Sequence, residues 1–385
     1  MSFNGDRLRI ARIYRNMTIS DLQKKISVTK QAISQYEKGI IAPKSEVLFQ
    51  LVSVLKFPLA FFTEIDNGTT KVENTFFRSI SSAKTLDLNT QEIKAEIIVR
   101  LYNFLNGYVN FPKLKLPDID YKNATDIEDA VLMLRGFWGL NNDPIINIVD
   151  LLEKNGIIVS SIDTDSSKID AFTQIHRIND HHQFCVVLGN DNQSMVRRNY
   201  DAAHELGHII LHRKLANIKE LSNVEFKKME IEANQFAASF LLPKNDFFAD
   251  LVNPTNLEAY LELKKKWRVS VPTMVMRAKQ LGRVNNLKYQ NLMKLISYKK
   301  WRNGEPYDDV WELQRPQLFR NAIKILKESN VLTGQQLMTE LSKHKFTINI
   351  EEVEVLLALD PGTLVDKGSL KDKGLIVSIK RVKEF

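Results

Sequence analysis

The block Tyr200-Asp201-Ala202-Ala203-His204-Glu205-Leu206-Gly207-His208-Ile209-Ile210-Leu211-His212 constrains this chain more than any other stretch. It contains H-E-x-x-H, a spacing that does chemistry only on a helix. Residues i and i+4 stand one turn apart on one face, about 6 Å along the axis. Two imidazoles so placed, His204 and His208, converge on one ion at about 2.0–2.1 Å. Glu205 is rotated to the side. There it reaches water activated at the metal without ligating the ion, the position of a general base.

A catalytic zinc needs a third protein ligand and an open fourth position. His212 shares the histidine face but lies about 12 Å from His204 along the axis. It is expected to support a ligand or to sit at the helix C-terminus. A third histidine ligand at position 214 would suit another zinc pattern, but that position is Lys214. The downstream run Met229 to Ala238 offers a carboxylate instead. On a helix Glu230 and Asn234 share a face, as do Ala233 and Ala237, whose small side chains let two helices approach. The expected set is therefore Zn2+ on His204, His208 and Glu230, with Asn234 bonding the outer nitrogen of a ligand histidine. Glu232 is the next candidate ligand.

The chain has 385 residues, 44% hydrophobic and 26% charged, enough for two to four domains. A net charge of +8 favours polyanionic partners. The single cysteine, Cys185, excludes an internal disulfide and lies in the apolar run Phe184 to Leu188, where it reads as a small buried hydrophobe. The first sixteen residues contain no apolar segment of signal-peptide type. The most apolar stretch, Leu48 to Phe62, is broken by Gln50, Ser53 and Lys56, so no membrane span is expected and a cytoplasmic location is the default.

Along the chain, residues 1–66 form a short unit with apolar residues at helical spacing, ending at the turn signal Asp66-Asn67-Gly68. Residues 67–118 read as a mostly helical connector, and residues 119–285 as a third unit. That unit opens on a capping-box pattern at Thr125 to Glu128 and includes a helix stopped by Gly156. Ile157 to Ser161 and Phe184 to Leu188 read as strands, the latter as a candidate edge for pairing with an extended peptide. Residues 286–385 read as helices plus a terminal basic strand, Leu375 to Val382, and show no chemistry of their own.

The segment from about Thr125 to Leu281 resembles the ImmA/IrrE metallopeptidases. The resemblance is carried by Leu151 to Val159, Ile169-Asp170-Ala171-Phe172, the His204 to His212 block, Glu230 to Pro243, and Val269-Ser270-Val271-Pro272 with Arg277 and Leu281-Gly282. It implies zinc on His204, His208 and Glu230, Glu205 as general base, and a DNA-bound repressor as the protein cut. With it, the expected fold is α+β and predominantly helical: a five-helix N-terminal unit, a zincin-like core with a small sheet, and a mainly helical C-terminal domain.

Residues 7–62 resemble the XRE (Cro/repressor-like) helix-turn-helix family. A helix over Leu8 to Asn16 precedes Thr18 to Ile26, a turn at Ser27-Val28, and a recognition helix capped by Thr29. Ile33 and Tyr36 face the core, which leaves Lys30, Gln31, Ser34 and Gln35 outward. Gln and Ser reach base edges in double-stranded DNA, while Lys30, Lys38 and Lys44 suit phosphates. Residues 1–66 hold ten Lys/Arg and six Asp/Glu, so 10 − 6 = +4, half the net charge of the chain. The family often has Gln, Ala and Gly where Ile19, Gln23 and Ser27 stand. XRE-type readers bind paired half-sites, so a homodimer is one expectation. The joined reading is a DNA-binding regulator that cuts a repressor. Two alternatives are a non-proteolytic repressor or antitoxin with a structural or sensory zinc, and a housekeeping peptidase with a docking module.

Overall fold

The computed structural model describes residues 3–65, 71–77, 84–119, 127–164, 169–178, 181–190, 194–215, 217–302 and 304–365. The turn at Asp66 to Gly68, the Thr125 end of the capping pattern and the terminal strand Leu375 to Val382 lie outside these residues. The architecture is α+β and predominantly helical.

The N-terminal periodicity folds into α1 (Gly5–Tyr14), α2 (Ile19–Gln23), α3 (Lys30–Glu37) and α4 (Ser45–Leu55), then a 3-10 turn at Leu59–Thr63. Each start has a chemical cause. Asn4 caps α1, Thr18 and Asp21 form a reciprocal capping box on α2, and the Thr29 side chain accepts from the Ala32 N–H at 3.2 Å. The stretch read as a helical connector holds a strand, β1 (Lys71–Phe77), before its long helix α5 (Thr85–Leu105). Next come α6 (Ile127–Phe137), α7 (Ile148–Lys154), β2 (Ile158–Ile162), β3 (Ala171–Ile178) and β4 (His181–Gly189). Gly156, between α7 and β2, has φ +79°, and a Cβ there would meet the Leu114 backbone nitrogen at 2.5 Å. Only glycine satisfies both demands.

The four strands form one mixed sheet in the order β1-β3-β4-β2. β1 pairs antiparallel with β3, β3 antiparallel with β4, and β4 parallel with β2. Phe184 to Leu188 is therefore central, not the edge expected from sequence. The reason is visible in its side chains. Phe184, Val186 and Leu188 join one core, while Cys185 and Val187 join another. A run apolar at every position is buried on both faces, and an edge strand facing solvent would alternate.

Behind the sheet's front face run α8 (Met195–Gly207), a π-helical turn at His208–His212, and α9 (Asn223–Leu241). The helices α10 (Lys244–Asp250), α11 (Leu257–Trp267), α12 (Val271–Gln280) and α13 (Asn286–Tyr298) complete this first core. The second core lies on the sheet's back face. It joins Phe172, Cys185 and Val187 to α5, to the N-terminal helices through Leu8, Leu51 and Phe61, and to α14 (Leu318–Glu328), α15 (Gly334–Lys343) and α16 (Ile350–Leu356). Among the described residues, the C-terminal hundred thus divide between the two cores, α13 with the first and α14 to α16 with the second.

Candidate metal centre and nucleic-acid interface

α8 is buried on nearly all sides, unlike an amphipathic surface helix. It runs antiparallel to α9, as the pairs Tyr200–Asn234 and His204–Glu230 show. The two helices touch where Gly207 meets Ala233: a Cβ on Gly207 would lie 3.2 Å from the Ala233 Cα and carbonyl oxygen. The small residues at this crossing let a carboxylate on α9 reach histidines on α8.

Three side chains converge there. His204 Nε2 lies 3.1 Å from His208 Nε2 and 3.4 Å from Glu230 Oε2, and His208 Nε2 lies 3.2 Å from Glu230 Oε1. Among the described residues these three form a group able to hold a metal ion. Tetrahedral zinc with bonds of about 2.0–2.1 Å would separate its ligand atoms by about 3.3 Å, and the gaps match. Two nitrogens and one carboxylate make the three-residue donor set that zinc with an open fourth position takes. Burial pushes the Glu230 carboxyl up, yet hydrogen bonds from both histidines override it and hold it at about 2. The carboxylate is therefore ready to bind a cation at neutral pH.

Glu205 is fully buried beside the cluster, and its Oε2 accepts from Thr173 Oγ1 on β3 at 2.7 Å. Phe76 of β1 stacks on the His208 ring, centroids 4.9 Å apart. The widened π-helical turn brings His212 Nδ1 to 3.1 Å from His208 Nδ1. On its other side, His212 Nε2 meets Glu232 Oε2 at 3.0 Å. A histidine that presents Nε2 to a metal carries its proton on Nδ1. With His208 Nε2 on a metal, its Nδ1–H would donate to His212, and His212 Nε2–H would donate to Glu232. Burial, partly offset by Glu232, holds His212 below the usual histidine range, in keeping with a neutral ring. Glu232 is thus engaged behind the cluster rather than at it.

Asn234 does not play the part expected of it. Its Oδ1 accepts from Tyr200 OH at 2.9 Å, and its Nδ2 donates to the Glu230 carbonyl at 2.7 Å. One turn beyond Glu230 on an antiparallel helix, it faces the residue one turn before His204 and not a histidine. Sequence reasoning missed Thr173 altogether. Thr173, Gln174 and His176 interrupt the apolar pattern, so no strand was expected at 171–178, although Ala171-Phe172 already marked the place. His176 is fully buried, which lowers its pKa to about 4.

In the N-terminal unit, Ile33 and Tyr36 are buried, while Lys30, Gln31 and Lys38 are exposed. Thr29 is exposed, and Ser34 and Gln35 are half-buried on α3. Arg12 fixes α3 against α1 by bonding both Glu37 oxygens, at 2.6 and 2.9 Å. Where the family often has Gly, the Ser27 N–H and hydroxyl both donate to Gln50 Oε1, at 2.9 and 3.0 Å. No helix among the described residues is long and apolar enough to cross a membrane.

No curated protein matches the chain as a relative. Residues 152–279 match the family model of the IrrE N-terminal-like domain, Peptidase_M78, and residues 8–62 match a helix-turn-helix model. The chain thus joins a segment similar to an XRE-type helix-turn-helix to one similar to the metallopeptidase domain of the ImmA/IrrE kind.

Proposed function

We propose that this chain is a DNA-binding transcriptional regulator and a zinc-dependent endopeptidase that cuts a protein partner, a repressor of stress or mobile-element genes. The observation that carries the reading is the convergence of His204, His208 and Glu230 at ligand spacing beside the buried Glu205. Zinc held by those three residues supplies Lewis acidity for amide hydrolysis. Glu205, with Oε2 fixed by Thr173, takes a proton from the attacking water and returns it to the leaving amine nitrogen. The cut adds one water across one peptide bond. Thr29 caps the recognition helix, Gln31, Ser34 and Gln35 meet base edges, and Lys30 and Lys38 meet phosphates. Binding the operator shared with the repressor places the peptidase beside its substrate. The same reading puts the protein in the cytoplasm, with a homodimer on paired half-sites.

The test compares new protein N-termini in cells under DNA damage with wild type and Glu205→Gln. Termini inside a repressor that depend on Glu205 are expected. Identical termini, with unchanged target transcription, would sink the reading. A second reading, a non-proteolytic repressor or antitoxin with a structural or sensory zinc, draws on one observation: His204, Glu205 and His208 are all 0% exposed. Full regulation by Glu205→Gln, with loss only in His204→Ala, would favour it.

A further inference from the structure

The matched peptidase segment begins at residue 152, so its own strands are β2, β3 and β4. Their order, β3-β4-β2, leaves β3 at one edge of that set. β3 carries Thr173, which holds Glu205. The outer edge of β3 is therefore the sheet edge that borders the reactive carboxylate. Extended peptides bind by adding a strand to such an edge, with backbone hydrogen bonds giving affinity and side-chain pockets giving specificity.

In this chain the edge is already taken. β1 comes from ahead of the matched segment and pairs antiparallel with β3, from Lys71 opposite Arg177 to Phe77 opposite Phe172. Phe76 stands opposite Thr173, fully buried, with its ring on His208. Asn74 fastens the strand on its far side, donating to the Leu215 carbonyl at 2.9 Å and accepting from the Ile218 N–H at 3.3 Å. With β1 in place, His204, Glu205 and His208 are 0% exposed, and the Glu230 side chain keeps 13%. A polypeptide cannot reach Glu205 past this packing.

We propose that β1 is an internal occupant of the substrate-strand position and keeps the peptidase latent until it leaves the edge of β3. A substrate strand then takes its place, antiparallel to β3, and puts a large apolar side chain into the space of Phe76. This rests on the peptidase reading above, and the test separates the two. Lys71 and Arg177 are both exposed and directly opposed. Cross-strand Cα spacings of about 4.5–5.5 Å fall within disulfide range. The double variant Lys71→Cys/Arg177→Cys therefore locks β1 reversibly without touching a core, and the one native cysteine, Cys185, is buried.

Two readouts are taken on the zinc-loaded full chain: cleavage of denatured casein, and affinity for a zinc-directed peptidyl hydroxamate. Phe76→Ala should raise both by roughly ten-fold or more, because an open state populated at about 0.1–10% becomes the main one. Oxidising the cysteine pair in the Phe76→Ala background should abolish that gain, and reduction should restore it. In the pair alone, the oxidised form should bind hydroxamate more weakly than the reduced form. Equal hydroxamate affinity in the two redox states overturns the proposal, whether or not casein is cut. A redox-dependent affinity without casein cleavage sinks the peptidase reading and leaves the occlusion standing.

Discussion

His212→Ala tests whether the layer behind the metal centre tunes it. The wild-type chain of contacts is His208 Nδ1 to His212 Nδ1 at 3.1 Å, then His212 Nε2 to Glu232 Oε2 at 3.0 Å. His212 and Glu232 are 4% and 6% exposed, so water does not readily replace either partner. Removing the imidazole leaves the His208 Nδ1–H without its acceptor and frees the ring to turn. Losses of this kind cost about 10–100-fold in metal affinity, or about 1.4–2.7 kcal/mol. Glu232→Gln keeps the volume but weakens the acceptor, so a smaller loss is expected. Because Glu232 acts through His212, the double variant should bind zinc about as His212→Ala does, a non-additivity that reports coupling. Zinc affinity is read by competition with a chromophoric chelator at pH 7, with circular dichroism confirming the fold. A His212→Ala protein that folds and binds zinc within about two-fold of wild type would refute the relay, since loss of this contact is set at ten-fold or more. Full additivity in the double variant would refute it too.

Thr173→Val removes the hydroxyl that holds Glu205 Oε2 and should lower kcat about ten-fold, the worth of one buried hydrogen bond. KM and zinc affinity should stay unchanged and Thr173→Ser should restore the rate; a matched loss of zinc would show a merely structural role. Burial raises the Glu153 carboxyl to about 7. With the folded value above the unfolded one, its stabilising contribution is complete below about pH 4.5 and lost as pH rises through 7, on the order of 3 kcal/mol in all. Thermal unfolding should therefore show Glu153→Gln gaining on wild type between pH 5 and 8, and a constant gap would contradict the assignment. Lys30→Ala should weaken binding evenly across DNA sequences and flatten the salt slope by about 1, whereas Gln31→Ala should cost about 1–3 kcal/mol at a preferred site only. Gel-shift titrations at several salt concentrations separate the two, and uniform loss from Gln31→Ala would remove it from base readout.

The convergence of His204, His208 and Glu230 was legible because helical periodicity is local: i to i+4 places His204 and His208 together, and the small residues at 233 and 237 announce a close helix. The relay was only half legible. The i to i+4 spacing puts His212 one turn from His208 on the same face, but it does not say which ring nitrogens meet or that Glu232 lies behind them. Asn234 was misjudged for a related reason. A shared face on one helix says which way a residue points, not which residue on the antiparallel neighbour lies opposite. The sheet was hardest to read. Buried polar residues on β3 bond one another and Glu205, as Thr173 does to Glu205 and His176 to Gln174 Oε1 at 2.8 Å, so the apolar alternation that signals a strand is absent. β1 gives a short pattern whose partner lies about a hundred residues onward, and sequence alone does not supply such pairing.

The same long-range packing changes how the helix-turn-helix relates to the peptidase. A reader on a flexible linker would add only effective concentration. Here Leu8, Leu51 and Phe61 share one apolar core with Phe172, Cys185 and Val187 on the back of the sheet. The C-terminal helices close that core from both sides. Glu64 of the N-terminal unit accepts from the Thr347 N–H at 3.0 and 3.1 Å, and Arg15 pairs with Glu352 at 2.6 Å. On the peptidase side, Ser160 of β2 donates to the Leu356 carbonyl at 2.6 Å, and Glu153 accepts from the Leu318 N–H at 2.9 Å. Residues that carry no chemistry in sequence thus hold the reader against the sheet. β1 is fixed by the same arrangement, since Phe76 sits in the core with His208 while Phe77 sits in the core shared with the helix-turn-helix. Packed cores pass a displacement on rather than absorb it. The seat of Phe77 is thus built in part by the DNA-binding unit, and the residue before it, Phe76, carries the ring that stacks on His208.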